Sequence, residues 1–144
     1  MSSPLEPTNP PDETVRRVLA DMRRVAVVGL SARPDRASYG VTRFLVGRGL
    51  EVVGVNPALQ EDVLGLPIVA ELDEVAGPVD VVDVFRRSDA VPQVVDQAIA
   101  IGARAIWLQE GVVHEEAAAR ARAAGLTVIQ DRCLYKEWLR LLNG

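Results

Sequence analysis

A glycine-opened loop between an apolar run and a helical pattern constrains the fold of this chain more than any other feature. Residues 25–30 form an almost uninterrupted apolar run, as required of a strand buried on both faces of a parallel sheet. Apolar residues at Val41, Phe44 and Leu45 follow the loop at helical spacing. A strand, a loop and a helix in this order begin a β-α-β unit, which predicts an α/β fold.

The loop itself, residues 29–40 with the sequence GLSARPDRASYG, predicts a phosphate-binding site. Arg33 and Arg36 carry guanidinium groups, which form forked hydrogen bonds to phosphate oxygens and stay charged at physiological pH. Backbone N–H groups at the start of the next helix face the same ligand, and Ser38 is expected to cap that helix. Tyr39 either stacks on a base or seals the loop. The competing interpretation is structural, with a capping serine and solvated arginines.

The loop differs from the dinucleotide fingerprint of NAD sites. It lacks the G-x-G-x-x-G pattern, in which the second glycine lets the backbone touch a pyrophosphate. The second predicted strand ends at Asn56 and Pro57, where an NAD site usually places a carboxylate on the ribose. The residues therefore suit a nucleotide with several phosphates better than NAD.

Strands and helices are expected to alternate along the rest of the chain. Such alternation predicts a doubly wound, mostly parallel, Rossmann-like α/β fold in three α/β/α layers, with strand order 3-2-1-4-5 and a sixth strand at the edge. Ligands of such folds bind outside the carboxyl ends of the strands, where the first and fourth strands diverge. Strands are predicted at residues 25–30, 51–55, 68–69, 79–85, 105–108 and 127–129, and helices at residues 12–22, after the loop, and at residues 90–101, 113–124 and 135–142.

Length and composition exclude several classes of protein. The 144 residues suffice for one domain, expected at residues 12–144 after a disordered, proline-rich leader at residues 1–11. A net charge of −4 argues against nucleic-acid binding, and one cysteine with one histidine predicts neither a disulfide framework nor a metal site. Without a signal peptide or a membrane-length apolar run, we expect a cytoplasmic protein that does not bind membranes.

Four further residues admit a structural and a functional interpretation. Asp83 is expected to be a structural partner of a neighbouring backbone N–H or arginine, and Trp107 a core residue. His114 indicates the start of a helix, and its functional alternative is a general acid or base. Cys133 is either a small buried hydrophobe or, beside Arg132, a thiol able to form a mixed disulfide.

Six motifs, in chain order, resemble the family of small single-domain CoA-binding proteins. The same pattern is similar to the N-terminal CoA-binding domain of the succinyl-CoA synthetase alpha subunit and of ADP-forming acyl-CoA synthetases. The resemblance covers nearly all of residues 12–142. The motifs are G-L-S-x-R-P-x-R-x-S-Y-G, V-N-P, L-G-L-P, V-D-V-V-D-V-F-R, W-L-Q-E-G-V and D-R-C.

The resemblance implies which segment meets which part of coenzyme A. The loop would hold the phosphates, residues 56–57 would border the adenosine, residues 85–86 would line the middle, and residues 108–111 would meet the pantetheine arm. The residues expected to contact the cofactor are Gly29, Leu30, Ser31, Arg33, Arg36, Ser38, Tyr39, Gly40, Asn56, Pro57, Phe85, Arg86, Leu108, Gln109, Glu110 and Gly111.

The resulting hypothesis is a protein that binds coenzyme A or a short acyl-CoA without autonomous catalysis. The synthetases use a second domain with a phosphorylated histidine and a partner subunit, and His114 lies in the wrong domain for that role. Alternatives are an NAD(P)-binding oxidoreductase-like protein, a stand-alone acyl-CoA enzyme, or an interaction module with a vestigial pocket. The sequence leaves open whether the chain self-associates or has a protein partner.

Overall fold

Six parallel strands form one sheet in the order β3-β2-β1-β4-β5-β6. The structure, a computed structural model, describes residues 6–142. Both the predicted fold and the predicted strand order are confirmed. The strands are β1 (Arg24–Val28), β2 (Glu51–Val55), β3 (Ile68–Val69), β4 (Val81–Val84), β5 (Ala105–Leu108) and β6 (Thr127–Ile129), and the helices are α1 (Asp12–Asp21), α2 (Ala37–Gly47), α3 (Val91–Ala100), α4 (Glu115–Ala123) and α5 (Leu134–Leu142).

Helices cover both faces of the sheet, which gives the three predicted layers. Alternate residues of each strand point to opposite faces, so Ala26 and Val28 contact the layer of α3 and α4. Val25 and Val27 contact the layer of α1, α2 and α5. The central strands are buried along nearly their whole length, which explains why the sequence shows continuous apolar runs there.

Helix α4 begins as the sequence predicts. The side chain of His114 occupies the N-cap, and its Nδ1 accepts a hydrogen bond from the backbone N–H of Ala117 at 3.1 Å. Glu115 and Glu116 lie in the first turn, where acidic side chains are favoured by the helix dipole. The imidazole therefore serves the helix start.

The end of the expected leader is fixed to the domain. The side-chain amide of Asn9 donates to the backbone carbonyl of Gln130 at 3.0 Å, and the Gln130 N–H donates to Asn9 Oδ1 at 2.7 Å. The Thr8 N–H donates to Glu115 at 2.8 Å. Sequence reasoning treated these residues as disordered because their partners are more than 100 positions away. Residues 1–5 of the leader lie outside the described residues.

Between residues 6 and 142, none of the helices is both long and apolar enough to cross a membrane. The same part of the chain contains no group of three or more His, Cys, Asp or Glu side chains placed to hold a metal ion.

Candidate functional site

The loop after β1 opens at the point where the sheet reverses its strand order. β1 lies between β2 and β4, and the Gly29 N–H donates to the carbonyl of Val55 at 2.8 Å. Gly29 has a φ of 87°, and a Cβ added there would lie 2.5 Å from the carbonyl oxygen of Phe85. Because the two loops approach so closely and φ is positive, the backbone conformation requires glycine at residue 29.

The hydroxyl of Ser38 stabilises the loop and does not cap the helix. Helix α2 begins at Ala37, and the N-cap residue, Arg36, makes no side-chain capping bond. Ser38 lies inside the first turn, is buried, and accepts a hydrogen bond from the Ser31 N–H at 2.9 Å. The predicted capping role of Ser38 is therefore wrong, because its hydroxyl faces back to the loop.

Two guanidinium groups border the open side of the loop. Arg33 pairs with Asp35 at 3.3 Å, and both side chains are largely exposed, so this pair contributes little to stability. Arg36 is also exposed. Within residues 6–142, no carboxylate lies within salt-bridge distance of the Arg36 guanidinium. Arg36 is thus the loop cation with its full charge available to a ligand.

These groups surround one cavity, which we call the loop cavity. Its volume is about 370 Å³. It brings together six of the sixteen predicted cofactor residues, all of them from the loop and the end of β4. The lining residues are Gly29, Ser31, Arg33, Arg36, Ala37, Ser38 and Phe85.

The remaining loop and β4 residues lie around this cavity in different ways. Tyr39 is half-buried and packs against the core layer of α2, which supports its sealing role. Gly40 follows within α2, away from the loop cavity. Arg86 is exposed, and its side chain runs beside Gly29, so that a Cβ added to this glycine would lie 3.2 Å from Arg86 Cδ.

The side chain of Asn56, directly after β2, links the loop after β1 to the loop after β2 by hydrogen bonds. Its Nδ2 donates to the Leu30 carbonyl at 2.9 Å, and its Oδ1 accepts from the Ala58 N–H at 2.9 Å. Pro57 is exposed at the adjacent position. The side chains of Leu30 and of Leu108 are fully buried in the core, so these two predicted site residues present only backbone to a ligand.

The first three residues of the loop after β5 are each held by a hydrogen bond or an ion pair. Gln109 is buried, and its Nε2 donates to Asp83 Oδ1 at 2.7 Å. Glu110 pairs with Lys136 at 3.1 Å, and the Gly111 N–H donates to Asp131 at 2.7 Å. The Gln109 amide nitrogen therefore serves the protein interior, and the exposed part of this loop is Glu110 and Gly111.

Asp83 is a buried carboxyl group beneath the site. It lies in β4 between Val27 and Trp107, and it is fully inaccessible to solvent. Burial raises its pKa to about 7, although the hydrogen bond from Gln109 acts in the opposite direction. Its Oδ2 has no hydrogen-bond partner within the described part of the chain. The sequence predicted a backbone N–H or an arginine as its partner, and this was wrong because Gln109, directly after the adjacent strand β5, supplies a side-chain amide.

The start of α5 lies beside the loop after β5, since Cys133 and Lys136 line the same cavities as Glu110. Cys133 is half-buried, and its carbonyl accepts the first helical hydrogen bond, from the Glu137 N–H. Trp107 is fully buried, as predicted, and its indole N–H donates to the Arg132 carbonyl at 2.8 Å. Glu137 binds Arg132 and Arg140, and these hydrogen bonds and charges keep the pKa of Glu137 below its usual range. The sequence predicted a helix at residues 135–142, but no local signal placed it beside the loop.

Comparison with known proteins identifies the family. Residues 23–138 match the family described as the CoA binding domain. The chain belongs to this CoA-binding family. The resemblance inferred from the six motifs is confirmed, and the matched range includes every segment of the site described above.

Relatives of this CoA-binding domain include single-domain proteins and a synthetase. An uncharacterized Bacillus subtilis protein, YneT, is 41% identical over 126 residues, covering 88% of this chain and 93% of that protein. The structure of a hypothetical protein from Pyrococcus horikoshii has 32% identity and a TM-score of 0.89, covering 98% of this chain and 99% of that one. An acetyl-coenzyme A synthetase from Candidatus Korarchaeum cryptofilum has 25% identity and a TM-score of 0.65, covering 74% of this chain but only 25% of the synthetase.

Proposed function

We propose that this protein binds coenzyme A across the carboxyl ends of β1, β2, β4 and β5. The observation that supports this most strongly is the loop cavity, which combines glycine-opened backbone, the start of α2 and the uncompensated charge of Arg36. A group with several phosphates needs such charge-assisted hydrogen bonds, and backbone N–H groups at a helix start add to them.

Each part of the ligand has a chemically suitable neighbour in this arrangement. The phosphates would meet the loop cavity through Arg33 and Arg36. The adenosine would lie against the exposed Pro57, while Asn56 keeps the two neighbouring loops in place. The pantetheine arm would pass Arg86 toward the loop after β5, where its amides could bond to backbone groups.

We further propose that the protein binds this ligand without catalysing a reaction of it. The synthetase relative is about four times as long as the segment shared with this chain, since the match covers 25% of it. In this proposal the protein is a carrier, a sensor or an accessory subunit in the cytoplasm.

Titration calorimetry with CoA, NAD and NADP tests the ligand assignment. We expect CoA to bind at least tenfold more tightly than either dinucleotide, because the site offers guanidinium groups and no ribose carboxylate. Tenfold corresponds to about 1.4 kcal/mol, which one good charge-assisted contact supplies. Equal or tighter binding of NAD would overturn the proposal.

Arg36→Ala tests the phosphate contact at a single residue. We expect CoA affinity to fall by roughly 1.5–3 kcal/mol, the usual contribution of a hydrogen bond to a charged group, with the fold unchanged. The control is Arg16→Ala, because Arg16 lies on α1 and pairs with Glu13 at 3.7 Å, away from the loop cavity. Unchanged CoA binding by Arg36→Ala would refute the assignment of this residue.

A further inference from the structure

A second cavity lies beside the first two turns of α2. The proposed function gives it no role. Its volume is about 550 Å³, and it lies between α2 and the start of α5. Val41, Phe44, Cys133 and Tyr135 contribute mostly apolar walls. We call it the α2/α5 cavity.

This cavity meets both ends of the proposed coenzyme site. It shares Ala37 with the loop cavity, and Glu110 from the predicted pantetheine loop forms part of its rim. A ligand held by its phosphates in the loop cavity, with its arm near Glu110, therefore ends at the mouth of an apolar space.

The charged side chains that line the cavity are Arg43, Glu110 and Lys136, and all three are exposed at its edge. Glu110 and Lys136 neutralise each other in a salt bridge at 3.1 Å. The ring of Phe44 contacts the ring of Tyr135 edge-on, with centroids 4.7 Å apart, and contacts Trp138 in the same way at 5.5 Å. The first of these contacts packs together Phe44 and Tyr135, two of the residues that line the cavity.

We infer that the α2/α5 cavity receives the acyl group of an acyl-CoA, and that the preferred ligand has an apolar chain longer than acetyl. This inference rests on the proposed function, since the coenzyme must first be held at the strand ends. An unsubstituted thiol would leave the apolar walls hydrated, whereas a chain of several methylene groups would displace that water.

Affinities for CoA, acetyl-CoA, butanoyl-CoA and hexanoyl-CoA test the inference. Burying one methylene group contributes about 0.8 kcal/mol, so each should tighten binding by about fourfold. If CoA binds and the series shows no dependence on chain length, the inference is refuted while the proposed function stands. If CoA itself does not bind, both are refuted.

A substitution at Gly40 tests whether the α2/α5 cavity holds the chain. Gly40 lines the cavity, and a Cβ added there would have no neighbour within 4 Å, so Gly40→Leu can fold with its side chain in the cavity. We expect the ratio of hexanoyl-CoA affinity to CoA affinity, measured on this variant, to fall to within about twofold of one, because the added side chain occupies the cavity. A ratio equal to that of the parent protein would overturn the inference.

Two matched substitutions on α5 distinguish binding of the acyl chain in the cavity from binding on the exposed apolar surface of the helix. Tyr135 and Leu139 are both 40% exposed, yet only Tyr135 lines the cavity. Tyr135→Ala should reduce the hexanoyl-CoA preference severalfold, and Leu139→Ala should leave it intact. Equal losses in both variants would place the chain on the exposed helix surface and refute the cavity assignment.

Discussion

Asp83→Asn should change how stability depends on pH. The carboxyl of Asp83 has a pKa of about 7 in the folded protein and an ordinary value of 3.8, so the folded state binds the proton more tightly than the unfolded state. Stability linked to this group is fully present below the unfolded pKa of 3.8 and is lost as the pH rises through 7, with little further change above about pH 8. Each pKa unit corresponds to 1.36 kcal/mol, which makes the whole loss about 4 kcal/mol.

Asparagine has a similar shape but cannot ionise. Its Oδ1 can accept the hydrogen bond that Gln109 now donates to the carboxylate at 2.7 Å. Its NH₂ group adds a donor at the position of Oδ2, which has no partner in the described residues, at a constant cost of about 1–3 kcal/mol. That cost does not vary with pH, so the pH dependence of the difference between the two proteins isolates Asp83.

Urea denaturation at pH 4.5, 6 and 8 measures this difference. Relative to the parent protein, Asp83→Asn should gain about 3 kcal/mol in free energy of unfolding between pH 4.5 and pH 8. Other carboxyl groups titrate in both proteins and cancel. A difference that stays constant over this range would show that Asp83 has the same pKa folded and unfolded, and would refute the reasoning.

Three further predictions concern the loop, catalysis and the cysteine. Gly29→Ala should lose about 2 kcal/mol or more of stability in urea denaturation, because a positive φ costs about 1–2 kcal/mol and the new Cβ would meet the Phe85 carbonyl. The control Gly47→Ala, on α2, should be neutral or stabilising. Equal effects of the two substitutions would refute the steric argument. The isolated protein should form no acyl-CoA from a carboxylate, ATP or GTP, and CoA, and turnover above a heat-killed control would favour the enzyme alternative. With CoA disulfide, the Cys133 thiolate should attack one sulfur, which forms a protein–CoA disulfide and releases CoA thiolate. Intact-mass analysis should show this as a mass increase that a reductant reverses. A Cys133 that stays unmodified and resists alkylation until the protein is denatured would refute this prediction.

Much of the fold could be predicted from the sequence because the signals are local. Continuous apolar runs identified the buried strands, and glycine at residue 29 marked the turn that leads to α2. Right-handed crossovers then left few strand orders, and the observed order is one of them. The loop residues expected to meet phosphate lie together for the same reason, since they follow one another along the chain.

The details that decide the chemistry come from residues distant in sequence. Gln109 meets Asp83 only because β4 and β5 are neighbours in one register. Helix starts favour serine, which predicts a cap at Ser38, and only the packed loop shows that its hydroxyl accepts from the Ser31 N–H instead.

The α2/α5 cavity is the clearest case of a feature that no local pattern could predict. Its walls come from segments about 90 residues apart, Phe44 on α2 and Tyr135 on α5. In sequence Phe44 only contributes to the helical spacing of α2, and Tyr135 only begins the predicted terminal helix. The space between those helices depends on how both pack on the sheet, and that packing is a property of the whole domain. Local residue patterns were therefore enough to predict a phosphate loop, whereas the apolar space beyond it exists only once the helices are packed.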